Sequence, residues 1–213
     1  SSVRPRSASH GGAPGIALFL AYFDHVASDA NSRALAQTVV RQLTRRLVST
    51  LEASDTAAFL PSSLGAFGAL SGAIYALAHI GALWGDHDLV DLGERLVLAL
   101  RDHVDADRTL DIIGGTAGFI MAASALEHVR SAPITRRALK HAAECLIARA
   151  EQRAGGLSWS TSLPASQPLT GMSHGASGMA LALLAAGRLV NHPPFIHAAI
   201  RAMCYERSCF DPT

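Results

Sequence analysis

Four apolar runs, each led by a glycine turn, most constrain how this chain can fold. The four runs carry almost no charge, and the glycines that lead them are separated by 57, 46 and 60 residues. Self-similarity at such a period is typical of architectures built from repeated helical hairpins. The leading glycines are Gly15, Gly72, Gly118 and Gly178.

Amphipathic segments alternate with these runs and have apolar residues at helical spacing. We predict helices over 31–52, 88–103 and 135–152 and a fourth from 195 to 204, and we predict no strands. Apolar helices buried on all sides suit an inner ring, and helices with one wet face suit an outer ring. The pattern therefore predicts an all-α fold, an incomplete α/α toroid of about four hairpin units, with the glycine turns at one end.

Composition restricts the classes of function. The chain of 213 residues is 49% hydrophobic and 16% charged, and its net charge is +1. Without a basic stripe or a long uninterrupted apolar segment, we expect neither nucleic acid binding nor a membrane span. The odd number of cysteines indicates free thiols in a reducing, cytoplasmic environment, and Cys145, Cys204 and Cys209 fit no zinc motif.

Two polar residues next to the glycine turns are candidates for chemistry. Asp111 precedes the third turn and His174 the fourth, at positions that the repeat makes equivalent. We expect both side chains near the inner rim, where such a pair suits acid/base work. The alternative is that Asp111 caps the following helix and His174 bonds backbone carbonyls. His10 is a possible third rim group, although its closeness to the terminus favours an incidental role.

The motifs resemble the LanC-like cyclases, and most closely the C-terminal cyclase domain of class II lanthipeptide synthetases. The Asp111 and His174 motifs carry the resemblance together with a closing Tyr-Glu-Arg-Ser segment. In chain order, the matching segments are 14–22, 65–67, 74–77, 81–86, 110–118, 168–178 and 205–208.

The resemblance implies a lanthionine-forming reaction, in which a peptide cysteine adds to dehydroalanine or dehydrobutyrine to give a thioether. It implies a partner peptide rich in Cys, Ser and Thr, with His174 and Asp111 as active-site residues. It also implies zinc, held in the complete family domain by two cysteines and one histidine, which lowers the pKa of the substrate thiol.

The chain also departs from the family pattern. The family's two zinc-ligand turns have no match, so we expect residues 1–213 to form a single partial cyclase domain that cannot complete the metal site. Residues 1–10 are expected to be disordered. Exposed edges of an open toroid predict self-association or pairing with the missing part of the domain. A non-catalytic relative that binds a peptide or glutathione, or acts as a scaffold, remains the alternative, ahead of a glycosidase or terpene cyclase.

Overall fold

The computed structural model describes residues 12–52, 64–66 and 69–210. Within these ranges eight α-helices, one short 3-10 helix and one small hairpin follow one another. The α-helices are α1 Ala13–Ala27, α2 Ala30–Glu52, α3 Ala69–Trp84, α4 His87–Arg101, α5 Thr116–Val129, α6 Pro133–Ala148, α7 Ala176–Leu189 and α8 Pro193–Ser208. The all-α prediction is confirmed.

The helices form two layers of four. The apolar helices α1, α3, α5 and α7 contact one another in sequence order, and so do the amphipathic helices α2, α4, α6 and α8. Each odd-numbered helix also packs on the even-numbered helix that follows it. The core lies between the layers, so inner helices such as α5 are buried on nearly every side.

Local sequence sets several helix starts. Prolines stand at the first positions of α1, α6 and α8, where a missing backbone N–H does no harm. The Asp86 carboxylate caps α4 by accepting from the backbone N–H groups of Asp88 and Leu89. The predicted helix over 88–103 ends earlier, at Arg101, and a 3-10 helix at Val104–Ala106 follows it.

The expectation of no strands was wrong. Glu151–Arg153 and Gly156–Ser158 pair as a two-stranded antiparallel hairpin, β1 and β2. A periodicity search cannot detect three-residue strands, and this hairpin is held by packing of β2 on α8. The Trp159 side chain that follows is buried and donates to the Leu146 carbonyl at 2.7 Å, so it anchors the next loop to α6.

The glycines of the repeat lie inside the first turn of their helices, and at Gly118 and Gly178 another part of the backbone passes close to them. A Cβ at Gly118 would lie 2.2 Å from the Ala66 nitrogen and from the Ile112 oxygen. The Ala66 N–H also donates to the Ile112 carbonyl at 2.9 Å. Successive turns are thereby packed against one another at one end of the inner layer.

Some predictions concern residues outside the described ranges. They include the disorder of residues 1–10 and the rim role of His10. Among the described helices, none combines the length and apolarity that a bilayer crossing requires.

Candidate functional site

Two turns that share one backbone hydrogen bond build the rim of the inner layer. In each, the N–H of the helix's third residue donates to a carbonyl seven residues earlier: Gly118 to Asp111, and Gly178 to Gly171. The backbone approaches Gly115 and Gly175 so closely that a Cβ at either position would lie 2.3 Å from backbone atoms. Only glycine fits at these two positions.

The rim brings together the two residues that the sequence singled out. His174 Nδ1 lies 2.7 Å from Asp111 Oδ2. Asp111 is 1% exposed, whereas the His174 side chain is 41% exposed. The second carboxylate oxygen of Asp111 accepts from the Gly114 N–H at 2.8 Å. The aspartate is therefore fixed on both oxygens, and the imidazole extends from it towards solvent.

The two residues are not at equivalent positions of their turns. When the shared backbone hydrogen bond aligns the turns, Asp111 corresponds to Gly171 and His174 corresponds to Gly114. Adjacent turns place these different positions opposite each other, so a carboxylate from one meets an imidazole from the next. A buried carboxylate accepts hydrogen bonds, so Nδ1 carries the imidazole proton and Nε2 remains available for proton exchange.

Asp107, which sequence reasoning missed, holds the turn of Asp111. Its carboxylate accepts from the N–H groups of Thr109, Leu110 and Thr116 at 2.8, 3.0 and 2.7 Å. It also accepts from the Thr116 hydroxyl at 2.6 Å. Asp107, rather than Asp111, therefore satisfies the start of α5. The Asp-x-Thr spacing of 107–109 is the signal that could have revealed it.

The Tyr-Glu-Arg-Ser segment on α8 holds the turn of His174. Glu206 Oε1 accepts from the Gly171 N–H at 2.7 Å, where Gly171 adopts a positive φ of 90°. The Tyr205 hydroxyl donates to the Pro168 carbonyl at 2.8 Å. Burial raises the pKa of Tyr205 to about 12, so this hydroxyl keeps its proton. The segment therefore positions His174 indirectly, by hydrogen-bonding the backbone of 168–171.

A second polar group lies between α1 and α3. The Tyr22 hydroxyl and His79 Nδ1 are 2.7 Å apart, and the Tyr75 ring lies 4.3 Å from the His79 ring. Burial lowers the pKa of His79 below its ordinary value. These contacts between α1 and α3 indicate a structural role for His79.

The side chains at the rim do not supply the ligands of a thiolate zinc centre. His174 and Asp111 are bonded to each other, and Cys204 and Cys209 are exposed near the end of α8. In the described part of the chain, one group of three possible metal ligands is found, namely Asp105, His141 and Cys145, and it belongs to α6 and the 3-10 helix. Burial and the neighbouring Asp105 carboxylate raise the pKa of Cys145 to about 11.

Comparison with known proteins gives one clear relationship. The model of the family described as lanthionine synthetase C-like protein matches residues 3–213. No curated protein matches the sequence. The family match spans nearly the whole chain, including both rim turns and the Tyr-Glu-Arg-Ser segment.

Proposed function

Because the chain belongs to the lanthionine synthetase C-like family, we propose that His174 and Asp111 serve the addition of peptide cysteine thiols to dehydroalanine or dehydrobutyrine. The family supports a lanthionine cyclase-type function in general and is generally zinc-binding. The 2.7 Å contact between His174 Nδ1 and Asp111 Oδ2 carries the proposal. The finer assignment to the cyclase domain of class II synthetases stays a prediction.

In this proposal His174 handles the proton of the addition. The cysteine sulfur forms a bond to the β-carbon of the dehydro residue, and the C=C π bond breaks to leave an enolate. In its imidazolium form His174 gives its Nε2 proton to the α-carbon, and the proton that the thiol released to solvent then returns to Nε2. The proton is conserved and no oxidant is needed. Asp111 fixes the tautomer and the orientation of the imidazole.

Zinc in this family supplies a more acidic substrate thiol. The rim pair offers no sulfur ligand, and both of its members are engaged with each other. We therefore propose that this chain alone contributes the proton-transfer residues without activating the thiol. Activity on a peptide with an ordinary cysteine then requires a metal centre from elsewhere.

The absence of a sulfur ligand beside His174 and Asp111 in the described part of the chain also favours a second candidate. This is a non-catalytic member of the family that binds peptides or glutathione or acts as a scaffold. Such a protein would keep the glycine turns, which the packing demands, and would use the exposed His174 only as a binding group. Binding of a Cys/Ser/Thr-rich precursor peptide that survives joint replacement of His174 and Asp111 by alanine would favour this candidate.

A sharp test bypasses thiol activation. An aromatic thiol that is already ionised at neutral pH is added to a dehydroalanine peptide, and thioether formation is followed by mass spectrometry. The wild-type chain should accelerate the addition over buffer, and His174→Ala should reduce the acceleration about 100-fold or more, the usual contribution of a positioned acid/base group. Asp111→Asn should do the same without unfolding the protein.

His197→Ala is the matched control, because His197 is exposed on α8 away from the rim. It should behave like wild type. No acceleration by the wild-type chain, or equal acceleration by the His174 variant, would refute the catalytic proposal. Acceleration with an ordinary cysteine peptide, relative to buffer with the same zinc, would refute the claim that thiol activation must come from elsewhere.

We further propose that the chain associates head-to-tail with a second copy. Helix α1 exposes an apolar stripe at helical spacing, Ile16, Phe19, Phe23 and Val26, at one end of the layers. Ile200 and Met203 of α8 are exposed at the other end. Exposed apolar patches usually mark interaction sites, and two different ends in contact form a heterologous interface. Pairing with a separate complementary segment of the domain is the competing outcome.

A further inference from the structure

Three side chains of different ligand type converge on the outer layer, away from the rim pair. His141 and Cys145 are one turn apart on α6, and Asp105 reaches them from the 3-10 helix 40 residues before Cys145. His141 Nε2 lies 3.3 Å from Asp105 Oδ1. Cys145 Sγ lies 3.1 Å from the same oxygen and 3.7 Å from His141 Nε2.

These separations are close to the distances between ligand atoms in a tetrahedral zinc site. Zinc bonds of about 2.3 Å to sulfur and about 2.0 Å to nitrogen and oxygen give ligand-to-ligand distances of about 3.3 Å (N to O) and about 3.5 Å (S to N and S to O). The observed set of 3.3, 3.7 and 3.1 Å needs only small side-chain movements to match it. We propose that Asp105, His141 and Cys145 bind a zinc ion whose fourth position is open to solvent.

Charge and access support the proposal. A thiolate and a carboxylate balance the two charges of the ion, and a neutral imidazole completes a sulfur, nitrogen and oxygen set that suits zinc. The side chains of His141 and Asp105 are 43% and 68% exposed, so the metal needs no buried entry path.

Arg149 holds both ligand-bearing segments in place. Its guanidinium donates to the Cys145 carbonyl at 3.2 Å and to the Asp105 carbonyl. The backbones that carry the sulfur and the carboxylate are therefore tied together before any metal binds, which reduces the ordering that binding requires.

The site would act on structure rather than on thiol addition. The 3-10 helix that carries Asp105 leads directly to Asp107, whose carboxylate holds the turn of Asp111. A metal bound to Asp105 and α6 would fasten this segment to the outer layer. Ligand binding to the folded state alone raises thermal stability. The proposal is independent of the rim chemistry.

The test uses the full chain, freed of metal by a chelator and titrated with Co²⁺ and Zn²⁺. We expect one ion per chain, a sulfur-to-cobalt charge-transfer band and a raised unfolding midpoint. Cys145→Ala and His141→Gln should each weaken binding by at least about 100-fold, because each removes one of three protein ligands. Asp105→Asn, at an exposed position, tests the third ligand with little risk to folding.

Cys204→Ser with Cys209→Ser is the matched control, since Cys204 is exposed on α8 and Cys209 is exposed directly after its end. This double variant and His174→Ala should retain the band and the affinity. The proposal is overturned if micromolar ion leaves the chain unbound, or if binding persists at full affinity in the Cys145 and His141 variants. The aromatic-thiol assay uses no metal, so its outcome does not depend on whether Asp105, His141 and Cys145 bind zinc.

Discussion

Replacement of Asp107 by alanine should destabilise the whole domain, although Asp107 does not touch His174. The carboxylate is 8% exposed and accepts four hydrogen bonds, three of them from backbone N–H groups. Leu110 and Thr116 are buried, so their N–H groups cannot turn to water when the acceptor is lost.

The magnitude follows from these two N–H groups. Each buried donor left without a partner costs about 1–3 kcal/mol, and lost bonds from Thr109 and the Thr116 hydroxyl add to this. The free energy of unfolding should fall by roughly 3–5 kcal/mol, out of about 5–15 kcal/mol for a typical domain. For a chain of this size the unfolding midpoint should drop by roughly 6–20 °C.

Thermal and urea unfolding followed by circular dichroism measure the effect. Thr116→Val removes the hydroxyl but keeps the backbone bond, so it should cost only about 1 kcal/mol. Asp102→Asn, at a side chain that is 73% exposed, should be nearly neutral. Hydrogen exchange of the Leu110 and Thr116 amides should accelerate in the Asp107 variant. A variant within 1 kcal/mol of wild type, roughly one lost hydrogen bond, would refute the reasoning.

Three further predictions concern other parts of the molecule. The pKa of Cys145 is raised to about 11, so at about pH 8, with metal removed, its thiolate fraction is roughly 100-fold lower than that of an ordinary cysteine. Alkylation followed by mass spectrometry should therefore label Cys204 before Cys145, and equal labelling rates would contradict this. Burial lowers the pKa of His79 below 6.5, so the unfolded chain binds the proton more readily and stability falls as pH drops below that value. His79→Gln should reduce this fall in a comparison of unfolding midpoints at about pH 7 and about pH 5, and an unchanged fall would exclude His79 as its source. Phe19→Glu should shift the chain towards monomer in light scattering at micromolar concentration, whereas Leu35→Glu, exposed on α2, should not; a monomeric wild type would refute self-association with a second copy.

The repeat was readable from the sequence because its causes are local. Glycine is required wherever a Cβ would collide with another part of the backbone, as at Gly118 and Gly178. Apolar runs of helical length must be buried. These two requirements predicted four hairpins with an inner and an outer layer of helices. The family resemblance rested on the same motifs, and the family match bears it out.

The hairpin β1–β2 was missed because its formation depends on α8. Gly156 has φ of 145°, and a Cβ there would lie 2.0 Å from the Arg201 oxygen. A three-residue strand gains little from its own pairing, so packing decides whether it forms. Nothing in the sequence of 151–158 records that α8 lies beside it.

The sequence by itself determined the helices, their alternation and the presence of Asp111 and His174 next to glycine turns, because hydrophobic period and backbone sterics act over a few residues. The sequence also predicted that both side chains would lie at the rim. The tertiary structure decided that they hydrogen-bond directly, 63 residues apart and from different positions of their turns. It also decided that Asp107 satisfies the start of α5, that Glu206 holds Gly171, and that Cys145 faces Asp105. Such pairings depend on how whole helices pack, and no local spacing encodes them.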